Sequence, residues 1–420
     1  MLKMLSLVAG CATVPAPFAC ASQSAGVSPE GESFLEDMVR QGCLFFWEQA
    51  SPTTGQVLDR ARNDLGGVRD SRRMASIAAT GFGLTALCIA DQRGYIPNAQ
   101  VVERVRTTLE WHLNQMPEVH GFFYHFTDVE TGRRWRNSEL SSIDTSLLLC
   151  GVQTARAYFD DVRIQQLARQ IYERVDWPWM LNDGATFSMG WNPGRGFLAE
   201  RWSHYCELMM IYLLAIGSPT HPVLPEHWDN FARPIIQYGP FRYISGNDPI
   251  FTHQYSQAWF DFRGKRDAYA NYFANSVNAT HAHKAFCLSM PNWYSENYWG
   301  ITASDSQNGY MVWGGPPETG PIDGTIAPSA AGGSLPFLPQ ATLRVLKNIR
   351  TRYGTRAWSR YGFVNAFNPL KNWYDTDVIA IDTGITMLMA ENLRTGFVWE
   401  TFMKNPEAQR GLQRAGFMKY

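Results

Sequence analysis

The stretch 77-IAATGFGLTALCIA-90 is strongly apolar, and its Gly81 and Gly83 leave room for a helix to pack closely. Helical text continues outward from it. Upstream, Phe34, Met38, Cys43, Leu44 and Trp47 mark one helical face. Downstream, residues 101–116, 142–159, 164–175 and 205–216 carry apolar side chains at helical spacing, as do 267–289, 339–352 and 378–392. Strand signals are few and short, such as 121-GFFYHF-126. Nine or more helices without βαβ alternation make the chain all-α. Helix hairpins recurring over 420 residues point to a toroid of helix pairs.

The chain holds 37 basic and 38 acidic side chains, a net charge of −1, which offers no footprint for nucleic acid or an anionic membrane. Charged residues at 18% and hydrophobic ones at 45% describe a globular chain. Aromatic residues reach 14%, either as core or as rings that stack on flat ligands. Length alone allows two or three domains. The best linker candidate, 313–339, has six Gly and six Pro. Its Trp313, Ile322, Ile326 and Phe337 argue for a site loop rather than a solvated spacer, so a single domain over 27–420 is expected.

Residues 1–26 read as an export signal or tether, with Lys3, a short apolar run and then small residues. Val8-Ala9-Gly10-Cys11 has the form of a lipoprotein box and would place a lipid anchor on Cys11. Ala19-Cys20-Ala21 is an A-x-A-like cleavage site and would release a soluble protein. The expected location is periplasmic or outer-membrane-anchored, otherwise secreted. No later stretch reaches the ~18 apolar residues of a membrane span. Cys43, Cys88, Cys150, Cys206 and Cys287 are too scattered for a zinc site or a disulfide framework and read as buried thiols. No metal or cofactor is called for, and a monomer is expected.

Nucleotide-binding glycine motifs, HExxH and GxSxG are absent. Three acidic clusters stand in apolar text. Glu139 and Asp144 open the helix at 142; Asp144 either caps it or holds a carboxylate at the mouth of a helix ring. Glu207 precedes an apolar run to Ile216. Desolvation there would raise its pKa and suit a general acid, while the alternative is a structural Glu bonded to Arg. Asp375 and Asp377 lie in an aromatic-flanked loop, and Asp382 is hemmed in by Ile381 and Ile385. A base role is open to Asp382 or Asp377. A fourth cluster interleaves rings with hydroxyl-binding side chains: His253, Gln254, Trp259, Asp261, Arg263, Asn275, Trp293 and Trp299. That mixture fits a carbohydrate cleft. Tyr124, His125, His204, Trp313, Asp323 and Trp373 are further candidates, and Asp377 is a candidate sugar contact as well.

The sequence resembles the bacterial glycoamylase-like family that includes glycoside hydrolase family 144, the endo-β-1,2-glucanases, and the related domain of cyclic β-1,2-glucan synthases. The matching text runs from 72-RRMASIAATGFGLTAL-87 through 138-SELSSIDTSLLLCG-151, 204-HYCELMMIYLLAIGSPTHP-222 and 251-FTHQYSQAWFDFRGKRD-267. It continues with 271-NYFANSVNATHAH-283, 323-DGTIAPSAAGGSLPF-337 and 381-IDTGITMLMAENLRTGFVW-399. The resemblance implies an (α/α)6 barrel and hydrolysis of β-1,2-glucan with inversion. It implies Glu207 as the acid, Asp144 as a further essential acid, Asp382 as the leading base and Glu139 as a weaker carry-over.

The expected activity is endo cleavage releasing sophorose or short β-1,2-glucooligosaccharides, with carboxyls ~6.5–9.5 Å apart unless a relay lengthens the path. Three rivals remain: an exo-acting or transglycosylating enzyme on this or another glucan, a polysaccharide lyase, and a glycan-binding lipoprotein without turnover.

Overall fold

A computed structural model describes residues 27–247 and 249–420. The expected export signal over 1–26, with its Cys11, lies outside the described residues. The described α-helices are α1 (Pro29–Glu48), α2 (Ile77–Gln92), α3 (Asn98–Asn114), α4 (Ser142–Tyr158), α5 (Val162–Glu173), α6 (Trp177–Leu181) and α7 (Met209–Gly217). They continue with α8 (Tyr255–Trp259), α9 (Tyr272–Leu288), α10 (Pro328–Gly332), α11 (Pro339–Tyr353), α12 (Ala380–Thr395), α13 (Phe397–Phe402) and α14 (Pro406–Arg414).

Burial sorts these helices into two layers. Every residue of α7, and of α2 from Ile77 to Ala90, is buried. A helix that is apolar on all sides belongs inside, whereas the one-sided stripes of α3, α5 and α11 belong outside. The inner helix α2 lies between α4 and α12; α4 also meets α7, and α12 meets α8 and α10. The Met210 N–H donates to Ser256 Oγ at 3.0 Å, tying α7 to α8. Gln254 Nε2 donates to the Ala330 carbonyl at 3.0 Å, tying the head of α8 to α10. Outside this ring, α3 packs on α2, α5 on α4, α14 on α7 and α11 on α10. Helix α9 packs on the 3-10 turn Ile250–His253 that leads into α8. Helix α1 lies against both α12 and α2 and closes the circle. Six inner helices inside outer partners form an (α/α)6 barrel.

Gly81 and Gly151 set the closest crossing. A Cβ on Gly81 would lie 2.2 Å from the Leu147 carbonyl oxygen, and one on Gly151 would lie 2.0 Å from that of Gly81. Only bare backbone lets α2 and α4 touch this closely. Gly83 is less tightly enclosed, with 2.9 Å from an added Cβ to Val57 Cγ2.

Three elements differ from the periodicity reading. The helix expected from 205 begins at Met209, because Ser256 Oγ donates to the Glu207 carbonyl while accepting the Met210 N–H. The helix expected from 267 begins at Tyr272, because Asp267 Oδ1 instead accepts the Tyr269 and Ala270 N–H groups. The Gly- and Pro-rich segment 313–339 is not all loop: it contains α10, one of the inner helices.

Short strands lead into the inner helices: Met74–Ser76 before α2, Leu140–Ser141 before α4 and Asp377–Ile379 before α12. Met74–Ser76 pairs antiparallel with Phe126–Asp128, and Arg60–Arg62 pairs antiparallel with Asp377–Ile379. These pairings rim the end of the barrel where the inner helices begin. Among the described residues, no helix is long and apolar enough to cross a membrane.

Candidate active site

The first turns of α4 and α12 each carry an aspartate at the third position, Asp144 and Asp382. Glu207 stands two residues before α7. Helix starts leave backbone N–H groups unpaired and favour negative charge there. The ring thereby presents three acids at one end.

Asp144 is held from two sides. Its N–H donates to Ser141 Oγ at 3.2 Å, and Ser141 Oγ donates back to its Oδ2 at 2.5 Å. On the other side, His125 Nε2 lies 3.4 Å from Asp144 Oδ1, and His125 Nδ1 lies 3.0 Å from Glu139 Oε1.

Asp382 has different neighbours. Asn365 Nδ2 donates to its Oδ2 at 2.6 Å, while Asn365 Oδ1 accepts the Asp305 N–H at 2.7 Å. Burial pushes the Asp382 carboxyl up to about 7; Asn365 works against that rise, and the charges of Asp305 and Asp59 add to it. Arg60 lies 2.7 Å from Asp305 and 3.3 Å from Asp59. Burial also raises Asp375 to about 7, with Asp305 contributing. Arg72 grips Asp377 at 2.5 and 3.1 Å and Asp70 at 2.6 Å. A cavity of about 20 Å³, lined in part by Ser329, Asn365 and Thr383, lies against Asp382. It has room for one water.

Glu207 lines an open cavity of about 320 Å³ with Trp202, His204, Phe251 and Tyr310. Tyr310 is half exposed on the hairpin that also carries Asp305. The three acids meet electrostatically at Tyr255, the first residue of α8. Burial pushes its phenol well above the ordinary value, and the charges of Asp382, Glu207 and Asp144 add to that rise, as does Tyr310.

Residues 199–406 match the Glycoamylase family, described as "Putative glucoamylase". The chain is 28% identical over 442 aligned residues to an exo β-1,2-glucooligosaccharide sophorohydrolase (non-reducing end) of Parabacteroides distasonis. That alignment takes in 94% of this chain and 60% of the relative. The fold is similar to the endo-β-1,2-glucanase of Chitinophaga pinensis in its sophorotriose and glucose complex, with a TM-score of 0.85 and 26% identity over 93% of this chain and 99% of that one. The β-1,2-glucanase structure from Parabacteroides distasonis gives a TM-score of 0.83 and 26% identity over 92% of this chain and 60% of that one. Residues 199–406 carry the glycoamylase-like family's domain.

The glycoamylase-like ring gathers some of the sequence candidates and scatters others. Glu139, His125 and Asp144 form one cluster, and Tyr124 lies beside it under the Arg134 guanidinium. Glu207 and His204 share the large cavity. Trp293 is exposed next to Gly324, near the Asp323–Lys371 ion pair at 2.5 Å, and Trp373 is half-buried on the strand paired with Phe367–Asn368.

Several expected sugar contacts are instead parts of the wall. Trp259 is buried and donates to Thr85 Oγ1 at 3.0 Å, so its ring is spent on the inner helices. Trp299 is buried, and Trp313 is buried with its indole N–H on Ser304 Oγ at 3.1 Å. Asp261 and Arg263 pair with each other at 2.9 Å beyond the C-terminal end of α8, far from the helix starts. His253 is buried against Tyr205, and burial lowers its imidazole to about 3. Gln254 is committed to Ala330 and Ser334, and Asn275 clamps both backbone groups of Ile244. Asp377 is committed to Arg72.

Sequence reasoning missed Asn365, Asp59, Asp305, Tyr255 and Tyr310. One signal was available: Ile143-Asp144-Thr145 recurs as Ile381-Asp382-Thr383, each opening an inner helix. That repeat marks Asp144 and Asp382 only: Asn365 and Asp59 come from loops, Asp305 and Tyr310 from a short hairpin and Tyr255 from the five-residue α8, where no long periodicity marks them.

Proposed function

We propose that this chain is an exported glycoside hydrolase that cleaves β-1,2-glucan by an inverting, endo-acting mechanism. The observation that carries the reading is that Asp144, Glu207 and Asp382 stand at the N-terminal ends of three inner helices, on one side of the ring, with Glu207 lining an open cavity there. Two carboxyl groups flanking a glycosidic bond are the usual requirement for its hydrolysis. The likeness to β-1,2-glucan-active proteins of Parabacteroides distasonis and Chitinophaga pinensis supports the substrate.

Glu207, facing the open cavity, protonates the leaving oxygen. Asp382 accepts the proton of the attacking water, directly or through a relay of water or sugar hydroxyls. A base held near 7 is half ionised at neutral pH and still basic enough to take a proton. Asp144 holds the sugar at the cleaved bond, and half-exposed Tyr310 offers a ring to a sugar face over the Glu207 cavity. The leader text around Cys11 supports export with a lipid anchor.

Incubation with linear β-1,2-glucan tests the reading. A ladder of oligosaccharides with the inverted anomer released first is expected. An unchanged polymer would rule out the substrate. The exo-acting sophorohydrolase relative favours a second reading, in which sophorose is the sole early product.

A further inference from the structure

His125 is placed in a way that a sugar contact does not need. Its ring nitrogens both face carboxylates, Glu139 Oε1 at 3.0 Å and Asp144 Oδ1 at 3.4 Å. The ring is stacked on Phe126 with centroids 3.7 Å apart. The backbone of His125 is fixed as well: its N–H donates to the Glu139 carbonyl at 2.9 Å, and its carbonyl accepts the N–H of Ile77, the first residue of α2, at 3.2 Å. Glu139 has been given room, since a Cβ on Gly190 would lie 3.0 Å from Glu139 Cγ and 2.5 Å from the Leu140 carbonyl. Only the protonated ring carries a hydrogen on each nitrogen, and each nitrogen here faces a carboxylate: Nδ1 is hydrogen-bonded to Glu139, and Nε2 stands at ion-pair distance from Asp144.

We propose that His125 is a positioning residue: as a cation shared between Glu139 and Asp144, it fixes the Asp144 carboxylate at the mouth of the ring and balances its charge. The carboxyl groups that face it are Asp144, Glu139 and Asp59, and Arg134 acts on Glu139 from outside. Burial opposes the charge on His125, but Asp144, then Glu139 and Asp59, outweigh it and lift the imidazole to about 8. Ser141 and His125 thus hold the two oxygens of Asp144 from opposite sides. Helix α4, the Phe126 strand and the head of α2 become one rigid mount for a single carboxylate.

The catalytic part of this inference rests on the reading that Asp144 sits at the cleaved bond. The first test does not. Carbon-13-labelled histidine in the full chain, titrated by NMR without substrate and assigned with His125→Gln, is expected to show a His125 midpoint near 8. Glu139→Gln should lower that midpoint. A His125 midpoint at or below 6.5, or one indifferent to Glu139→Gln, would overturn the shared-cation arrangement. So would a stoichiometric, chelator-removable divalent cation on the purified chain. The second test uses turnover. In His125→Gln an amide can still reach Asp144 but carries no charge, so kcat should fall by about 100-fold with KM little changed. The decline of wild-type kcat/KM above about pH 8 should also disappear in this variant. A raised KM with unchanged kcat would make His125 a sugar contact and overturn the positioning role. If the wild type shows no β-1,2-glucan hydrolysis at all, the functional reading fails while the titration still decides the arrangement.

Discussion

Helices α4 and α12 carry the same three residues, Ile-Asp-Thr, at their second to fourth positions, and their aspartates have the same 8% exposure. Each follows a short strand, and each aspartate is the third residue of its helix. Their partners are opposite in kind. Asp144 has a serine cap and a histidine lifted toward the cationic form. Asp382 has no side-chain cap behind it, because Ile379 stands where Ser141 stands in the other helix. It has an amide from Asn365 and lies in the field of Asp305 and Asp59. The helix start fixes where each carboxyl sits. The neighbouring loops decide what proton chemistry it can do, with charge balance at one and a proton held by burial at the other.

The sharpest way to break this contrast is to remove each acid in turn. Asp382→Asn, Glu207→Gln and Asp144→Asn should each lower turnover of β-1,2-glucan by about 10³-fold, measured as reducing ends released. If Asp144→Asn alone leaves turnover near wild type, the two aspartates differ in necessity as well as in surroundings.

The next effect is on stability. Asp382 sits near 7 in the fold against an ordinary 3.8, so the folded state binds a proton that the unfolded chain has released between those values. Folding stability therefore falls as pH rises from about 4 through 7. Asp382→Asn should be more stable than wild type at pH 8, on the order of a few kcal/mol, and indistinguishable near pH 4. Chemical denaturation at both pH values measures this.

A smaller effect belongs to Asn365. Its amide favours the ionised form of Asp382. Asn365→Ala should move the rising limb of kcat/KM from near 7 to higher pH by about one unit. A shift to lower pH would show that Asn365 does not act through this bond. The smallest effect is at the serine cap. Ser141→Ala should destabilise the fold by about 1 kcal/mol, seen as a lower denaturation midpoint.

The inner helices were readable because α2, α4 and α12 must be apolar on nearly every side, and their glycines mark the crossings. Asp144, Glu207 and Asp382 were readable for the same reason: a carboxyl in such text has to be accounted for. The rings were not. A tryptophan beside polar residues in sequence, such as Trp259, can face either way off a five-residue helix, and here it faces the core. Asn365 lies in a loop and Tyr310 on a short hairpin, and their meeting with Asp382 depends on contacts across the chain that local spacing does not encode. Helix α10 was hidden because Gly332 and Gly333 are helix-breaking by propensity. They are required by the close approach of Thr386 and Gln254.

The closure of the ring by α1 has a consequence during synthesis. Cys43 Sγ ends up 3.5 Å from Met387 Sδ, and Gly42 lies against the same methionine. These partners are translated more than 300 residues apart. At roughly 5–20 residues per second, the apolar face of α1 waits on the order of tens of seconds for α12 to emerge. A nascent chain with its first helix finished and its last wall missing offers that face to whatever binds unfolded segments. Chaperones therefore have their widest window on this protein in α1, before the barrel has a sixth side.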